Sequence, residues 1–312
     1  MLPTRNQIKQ ARILSSDILS ISGTGLSAEI HPLGAELWAL RDADGRDLLW
    51  NGNAAFWTGR APILFPIVGT VAGDTYRVGG ASYALPRHGF ARRRPFSLVT
   101  TQADGVTLRL TSDDATRAVY PFDFVLDLSF KIDGARLDVA ANLTNTGDGP
   151  LPASFGYHPA FRWPLPYGAA RADHAITFDV DEMAPIFRPD REGLLVSAER
   201  PSQLGARVLQ LDDAAFTDGA LVFTSLAGAS LSFGAGNGPK LKISYPDTPH
   251  LGLWSVPGAP FVCVEPWQGY ADPAGFTGEI WDKPGIVRLA PGARRRWRMG
   301  VELVGSEDAG DS

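Results

Sequence analysis

Cysteine occurs once in the 312 residues, at Cys263. A single thiol excludes an intrachain disulfide, a Cys-rich zinc site and an iron–sulfur cluster. It fits a reducing compartment, so a cytoplasmic location is the expectation. Basic charge is not in excess either: 29 Lys and Arg against 34 Asp and Glu give a formal charge of −5. No whole-chain positive field is present to hold a nucleic acid or an anionic bilayer, and neither is expected as a partner. Apolar runs of about 18 residues, the minimum for a spanning helix, are missing. The segment from Met1 to Ser20 is interrupted by Arg5, Lys9, Arg12 and Asp17 and lacks the continuous apolar stretch of a secretory signal. Also missing are a glycine-rich phosphate loop, His-Glu-x-x-His and Gly-x-Ser-x-Gly, which removes support for nucleotide chemistry and serine hydrolysis. His88, His158 and Glu265 form no close ligand pair such as His-x-His, so no metal and no cofactor is expected.

Hydrophobic residues (44%) and charged residues (20%) stand near the average for a folded chain and exclude long disorder. The pattern is that of strands. From Phe122 to Ile132 every even position is apolar, Asp133-Gly134 supplies turn chemistry, and Ala135, Leu137, Val139, Ala141 and Leu143 alternate again. A second hairpin is expected around Gly79-Gly80, between Tyr76–Val78 and Ala81–Leu85, with further alternating runs at 106–110, 241–245 and 297–303. Gly and Pro recur at short intervals and no convincing amphipathic helix is found. No linker or composition break divides the chain. The reading is all-β: one large, mainly antiparallel domain over residues 1–305, a sandwich of extended sheets with few short helices, followed by a flexible acidic tail at 306–312.

Two histidines stand in unusual company. His158 lies between Tyr157 and Pro159 in Phe155-Gly156-Tyr157-His158-Pro159-Ala160-Phe161, which would fix the direction of an imidazole; a structural histidine bonded to a carbonyl is the plain alternative. His88 follows a strand ending at Leu85, in a loop rich in Gly and Arg, where a surface histidine is the alternative. Period two places Glu265 on the face of Phe261 and Cys263 at the end of an apolar strand. A carboxylate there is partly desolvated, which raises its pKa and suits a general base, unless it leans into water. Trp57 and Trp267 are candidate platforms for the apolar face of a sugar, or core residues. Asp218 could bond a ligand hydroxyl or cap a turn, and Arg92-Arg93-Arg94 could meet a phosphate or form a solvated face.

Five segments, in order, carry a family resemblance. They are Gly34-Ala35-Glu36-Leu37 with Asp47-Leu48-Leu49-Trp50, Ala61 to Gly69 (APILFPIVG), Arg87-His88-Gly89-Phe90-Ala91-Arg92, Phe155 to Phe161 (FGYHPAF), and Val264 to Asp272 (VEPWQGYAD). Together they resemble the aldose 1-epimerase (galactose mutarotase-like) superfamily, in particular its LacX-like branch, over most of the chain. The resemblance implies a β-supersandwich, metal-free interconversion of sugar anomers, and a small-molecule sugar substrate for a monomer or homodimer. It implies His158 as general acid at the ring oxygen, His88 as a second histidine near that oxygen, and Glu265 as base at the anomeric hydroxyl. Arg60 and Asp218 are the implied substrate contacts, to which the residue reading adds Trp267 as a platform. The segment around Arg60 departs from the galactose mutarotase pattern and Glu265 is followed by Pro-Trp, so galactose is not specified. A phosphorylated sugar held by Arg60 and part of Arg92–Arg94, or a non-catalytic sugar-binding protein on the same fold, are the alternatives. The expected working state is an ionised Glu265 beside a protonated His158.

Overall fold

The computed structural model describes residues 18–200 and 207–305, with backbone only for 197–200. The tail expected from residue 306 lies outside the described residues. Strands dominate; the helical content among the described residues is one four-residue α-helix, Asp114–Arg117, and scattered 3-10 turns. That helix starts at Asp113, whose carboxylate accepts the Thr116 N–H while the Thr116 hydroxyl accepts the Asp113 N–H, so its first donors are satisfied locally. No helix among the described residues is long and apolar enough to cross a membrane.

The alternating hydrophobic pattern sets the sheet register. Phe124–Asp133 and Arg136–Asn145 pair antiparallel, with Ile132 opposite Leu137 and Phe130 opposite Val139, so Leu126, Leu128, Phe130 and Ile132 are buried on one face with Leu137, Val139, Ala141 and Leu143. The turn sits one residue later than the Asp133-Gly134 reading. Asp133 still pairs with Arg136, and the loop is Gly134-Ala135, with Gly134 at a φ of 58°. A glycine with positive φ in the first loop position is the type II′ pattern, which suits the right-handed twist of the strands. The Gly79-Gly80 hairpin forms as expected, both glycines having positive φ.

Two large antiparallel sheets result. One has nine strands, ordered Val208–Gln210, His174–Phe178, Ser230–Ala235, Lys240–Ser244, Arg294–Val304, Arg136–Asn145, Phe124–Asp133, Gly105–Thr111 and Ser97–Thr101. The other has eight, running from Leu195–Arg200 through Ile186–Pro189, Leu221–Phe223, His250–Trp254, Phe261–Gln268 and Phe155–Tyr157 to Ile63–Leu64, with Ala160–Arg162 also paired to Phe261–Gln268. One extended hydrophobic core runs through both, including Leu126, Leu128, Leu143, Phe155, Val262, Val264 and Trp297. Tyr157 ties the two sheets together: its ring is buried, and its hydroxyl accepts the Ala141 N–H and donates to the Trp297 carbonyl at 2.8 Å. Because successive side chains alternate, anchoring Tyr157 in the core turns its neighbour His158 to the other side of the sheet.

Candidate active site

All eight residues of Phe261–Gln268 are buried, and the strand has different surroundings on its two faces. Val262 and Val264 enter the main core; Phe261 and Cys263 join a smaller cluster with Trp50, Ala160 and Ala259, beside Trp57 and Trp254. Glu265 continues this second face. The backbone ladder brings His158 to it. Gly156 pairs with Trp267 and Ala160 pairs with Cys263, so the same register places position 158 opposite position 265. His158 Nε2 lies 3.1 Å from Glu265 Oε2, with the side chains 9% and 2% exposed.

Burial controls the charge of this pair. His158 is pushed down to about 3 by desolvation, and desolvation pushes Glu265 well above the usual carboxylate range. The ionised carboxylate beside a protonated imidazole, expected as the working state, is therefore not the resting one. In this desolvated contact the neutral forms of both side chains are favoured over the ion pair. Trp57 stacks on His158 with centroids 5.0 Å apart and an interplanar angle of 28°, and Trp254 meets the same ring edge-on at 6.0 Å. His158 Nδ1 is buried and makes no hydrogen bond to another of the described residues.

His88 completes the group, its ring 5.8 Å from that of His158 and nearly perpendicular to it. Its backbone is left-handed, at a φ of 66°, and is held by reciprocal bonds. The His88 N–H donates to the Gly69 carbonyl at 2.8 Å and the Gly69 N–H donates to His88 Nδ1 at 3.1 Å. An accepting Nδ1 fixes the neutral tautomer with its proton on Nε2. Burial, then the charge of a protonated His158, hold His88 well below an ordinary imidazole, so it is a hydrogen-bond donor and not a cation. The following Gly89 is required: a Cβ there would stand 2.3 Å from the Phe65 carbonyl oxygen.

These side chains line a cleft of about 1010 Å³, which also takes in Trp57, Trp254, Trp267, Arg87, Arg92 and Asp218. That volume is at the upper end of small-molecule sites. The indole of Trp267 lies across the sheet, over glycines on both neighbouring strands. A Cβ at Gly252 would come within 2.3 Å of its six-membered ring, and one at Gly156 within 2.6 Å of its five-membered ring. Gly252→Ala is thus expected to displace Trp267 and lower stability by about 1–3 kcal/mol, as overpacking does. Thermal unfolding checks this; a variant as stable as the parent would mean that the ring is free to move.

Of the residues singled out in the sequence, His88, His158, Glu265, Asp218, Trp57 and Trp267 line the cleft, and Arg60 does not. The Arg60 guanidinium stacks 3.9 Å over Trp38 and donates to the Trp38 carbonyl, while its backbone N–H bonds Glu36. Within the arginine run, Arg92 faces the cleft whereas Arg94 pairs with Asp113. Trp254 and Arg87 were not read from the sequence. Period two does put Trp254 on the face of Gly252, but only the observed pairing of Gly252 with Glu265 and Trp254 with Cys263 brings it to the site.

Known proteins share this arrangement's framework. The aldose 1-epimerase family model matches residues 17–288. The LacX protein of Lactococcus lactis is 29% identical over 276 residues, 85% of this chain and 92% of its own. A galactose mutarotase related enzyme from Lactobacillus acidophilus superposes with a TM-score of 0.86 at 26% identity, covering 94% of this chain and 99% of its own. A galactose mutarotase-like protein from Lactobacillus casei gives 0.84 at 28% identity, covering 92% and 100%. A match over most of the chain, the β architecture and near-complete superposition agree, and the protein belongs to the aldose 1-epimerase family, in its LacX-like branch.

Proposed function

We propose that this isomerase-type enzyme interconverts the α and β anomers of a hexose or related aldose by acid–base ring opening and reclosure. The observation that carries the reading is the buried 3.1 Å contact between His158 and Glu265 at the wall of a tryptophan-lined cleft. Glu265 takes the proton of the C1 hydroxyl while His158 delivers one to the ring oxygen, so the C1–O5 bond breaks without a free oxyanion. Rotation about C1–C2 presents the other face of the aldehyde, and reclosure with both transfers reversed gives the opposite anomer. The pair already holds the proton that His158 must donate; sugar hydroxyls entering the dry site stabilise the charged arrangement that burial alone disfavours. In this reading His88, which lines the cleft, donates from Nε2–H to the ring oxygen, and Trp267 and Trp57 offer flat faces for sugar C–H groups. The reading includes a cytoplasmic enzyme, supported by the single, fully buried thiol of Cys263.

Both limbs of the pH profile follow. A second proton gives neutral Glu265 with cationic His158, which lacks a base, so the rate falls as pH drops toward about 3. Loss of the shared proton leaves no acid, so the rate falls again as pH rises through the elevated pKa of Glu265. His158 is not expected to contribute a limb near pH 6.5, where an ordinary imidazole titrates. A His158 imidazole NMR resonance that titrates near 6.5 would contradict its burial.

Polarimetry on a panel of freshly dissolved aldoses tests the activity. Acceleration of at least one is expected; sugar affinity with no acceleration would favour a binding protein on the same fold. A second reading, a 6-phosphorylated sugar, is favoured by Arg87 and Arg92, which line the cleft, Arg92 making no carboxylate ion pair among the described residues. Rates on a hexose and on its 6-phosphate separate the two.

A further inference from the structure

The strand that presents Glu265 also presents Cys263, two residues earlier on the same face. Its sulfur, a nitrogen of His158 and a carboxylate oxygen of Glu265 all lie within 4.8 Å of one another, and all three residues are buried. The Nε2 to Oε2 contact is short at 3.1 Å, yet Oε2 has no hydrogen-bond partner among the described residues, at 1% exposure for the residue. Its lone pairs are unspent. Tetrahedral zinc, with bonds of about 2.0–2.1 Å to nitrogen and oxygen and about 2.3 Å to sulfur, sets its ligand atoms roughly 3.3–3.6 Å apart. The nitrogen–oxygen contact is within a few tenths of an ångström of that, and the sulfur must close by about an ångström at most.

Charge and softness narrow the choice of ion. A dication held by one thiolate and one carboxylate is a net-neutral cluster, which a desolvated site accepts more readily than either anion alone. Thiolate and imidazole select a borderline-soft ion, whereas magnesium and calcium require shells of six or more oxygens that this site lacks. His158 and Glu265 line the cleft, which provides an entry path and room for water in a fourth position.

We propose that His158, Cys263 and Glu265 form a binding site for a borderline-soft divalent cation such as zinc, and that occupancy blocks the acid–base pair. Binding sends the thiol proton and the proton held by Glu265 to solvent and involves no redox change. The site itself stands on its own geometry; the block rests on the acid–base reading above.

Cobalt(II) added to the chelator-treated full-length protein is the probe. A thiolate-to-cobalt charge-transfer band is expected in the parent and absent in Cys263→Ala, with zinc abolishing the band and magnesium leaving it. Zinc raises the melting temperature of the parent and not of Cys263→Ala. Zinc at ten times its Kd slows mutarotation about tenfold in the parent by simple occupancy and leaves the rate of Cys263→Ala unchanged. No band in the parent, or equal stabilisation of the variant, overturns the site; bound zinc with an unaltered rate overturns the block. Band and melt need neither a turnover assay nor a folded variant to judge the parent, so they decide the site even for a protein that accelerates no sugar.

Discussion

Glu265→Gln is expected to reduce the mutarotation rate by about 10²–10⁴-fold, and His158→Asn by a similar factor, the usual range for a positioned acid or base. Gln preserves the shape of the carboxyl group in a wall where Glu265 is 1% exposed, so folding is not the expected casualty. What it loses is proton exchange: an amide neither accepts the C1 hydroxyl proton nor stores the one that His158 passes to the ring. Because one proton serves two residues across a 3.1 Å contact, the losses are strongly non-additive. The double variant is expected to be little slower than either single one. Polarimetric rates on an accepted aldose, with melting curves to confirm folding, provide the measurement. Either single variant matching the parent would remove the pair from the reaction.

Lys283→Met is expected to cost about 3–5 kcal/mol of stability, the usual penalty for removing one partner of a buried ion pair. Lys283 Nζ stands 2.7 Å from Asp272 Oδ1 with side-chain exposures of 1% and 4%, so the carboxylate left behind would be charged and almost dry. Asp272 also accepts the Ala72 N–H through Oδ2, and its own N–H donates to the Thr70 carbonyl. It thereby fastens the segment after Trp267 to the one before His88. Pairing Lys283→Met with Asp272→Asn removes the stranded charge and keeps an acceptor for Ala72, so it is expected to recover much of the loss. Urea unfolding of the two variants checks this; a single variant within about 1 kcal/mol of the parent would show that the pair is not strongly coupled.

The strands were legible because burial on one face writes itself into every second residue. Leu126, Leu128, Phe130 and Ile132 needed no partner to be recognised, and Leu137, Val139 and Ala141 fixed which face of the second strand is buried. The turn moved by one residue because a single glycine with positive φ at Gly134 is enough for the loop, which frees Asp133 to extend the ladder. His158 and Glu265 were each legible as unusual residues, but their contact depends on two strands being neighbours, which no local pattern states. Arg60 was misplaced for a related reason. An arginine in a suggestive segment has the same sequence signature whether it faces a ligand or stacks on an indole such as Trp38. The resting protonation of the pair is not written in the sequence either, because it depends on how completely the surrounding strands desolvate both side chains.

The register that sets residue 158 against residue 265 is held by main-chain hydrogen bonds between Phe155–Tyr157, Ala160–Arg162 and Phe261–Gln268, whereas residues such as Asp190, Arg191 and Asp218 belong to the connections around the cleft. On the proposed acid–base reading, descendants of this chain exchange one sugar for another through mutations in those connections and keep His158 and Glu265 in register. A single-residue insertion in the short link at Tyr157-His158-Pro159 would be far harder to tolerate than one at the rim, and laboratory evolution of new sugar preferences should begin with the loops.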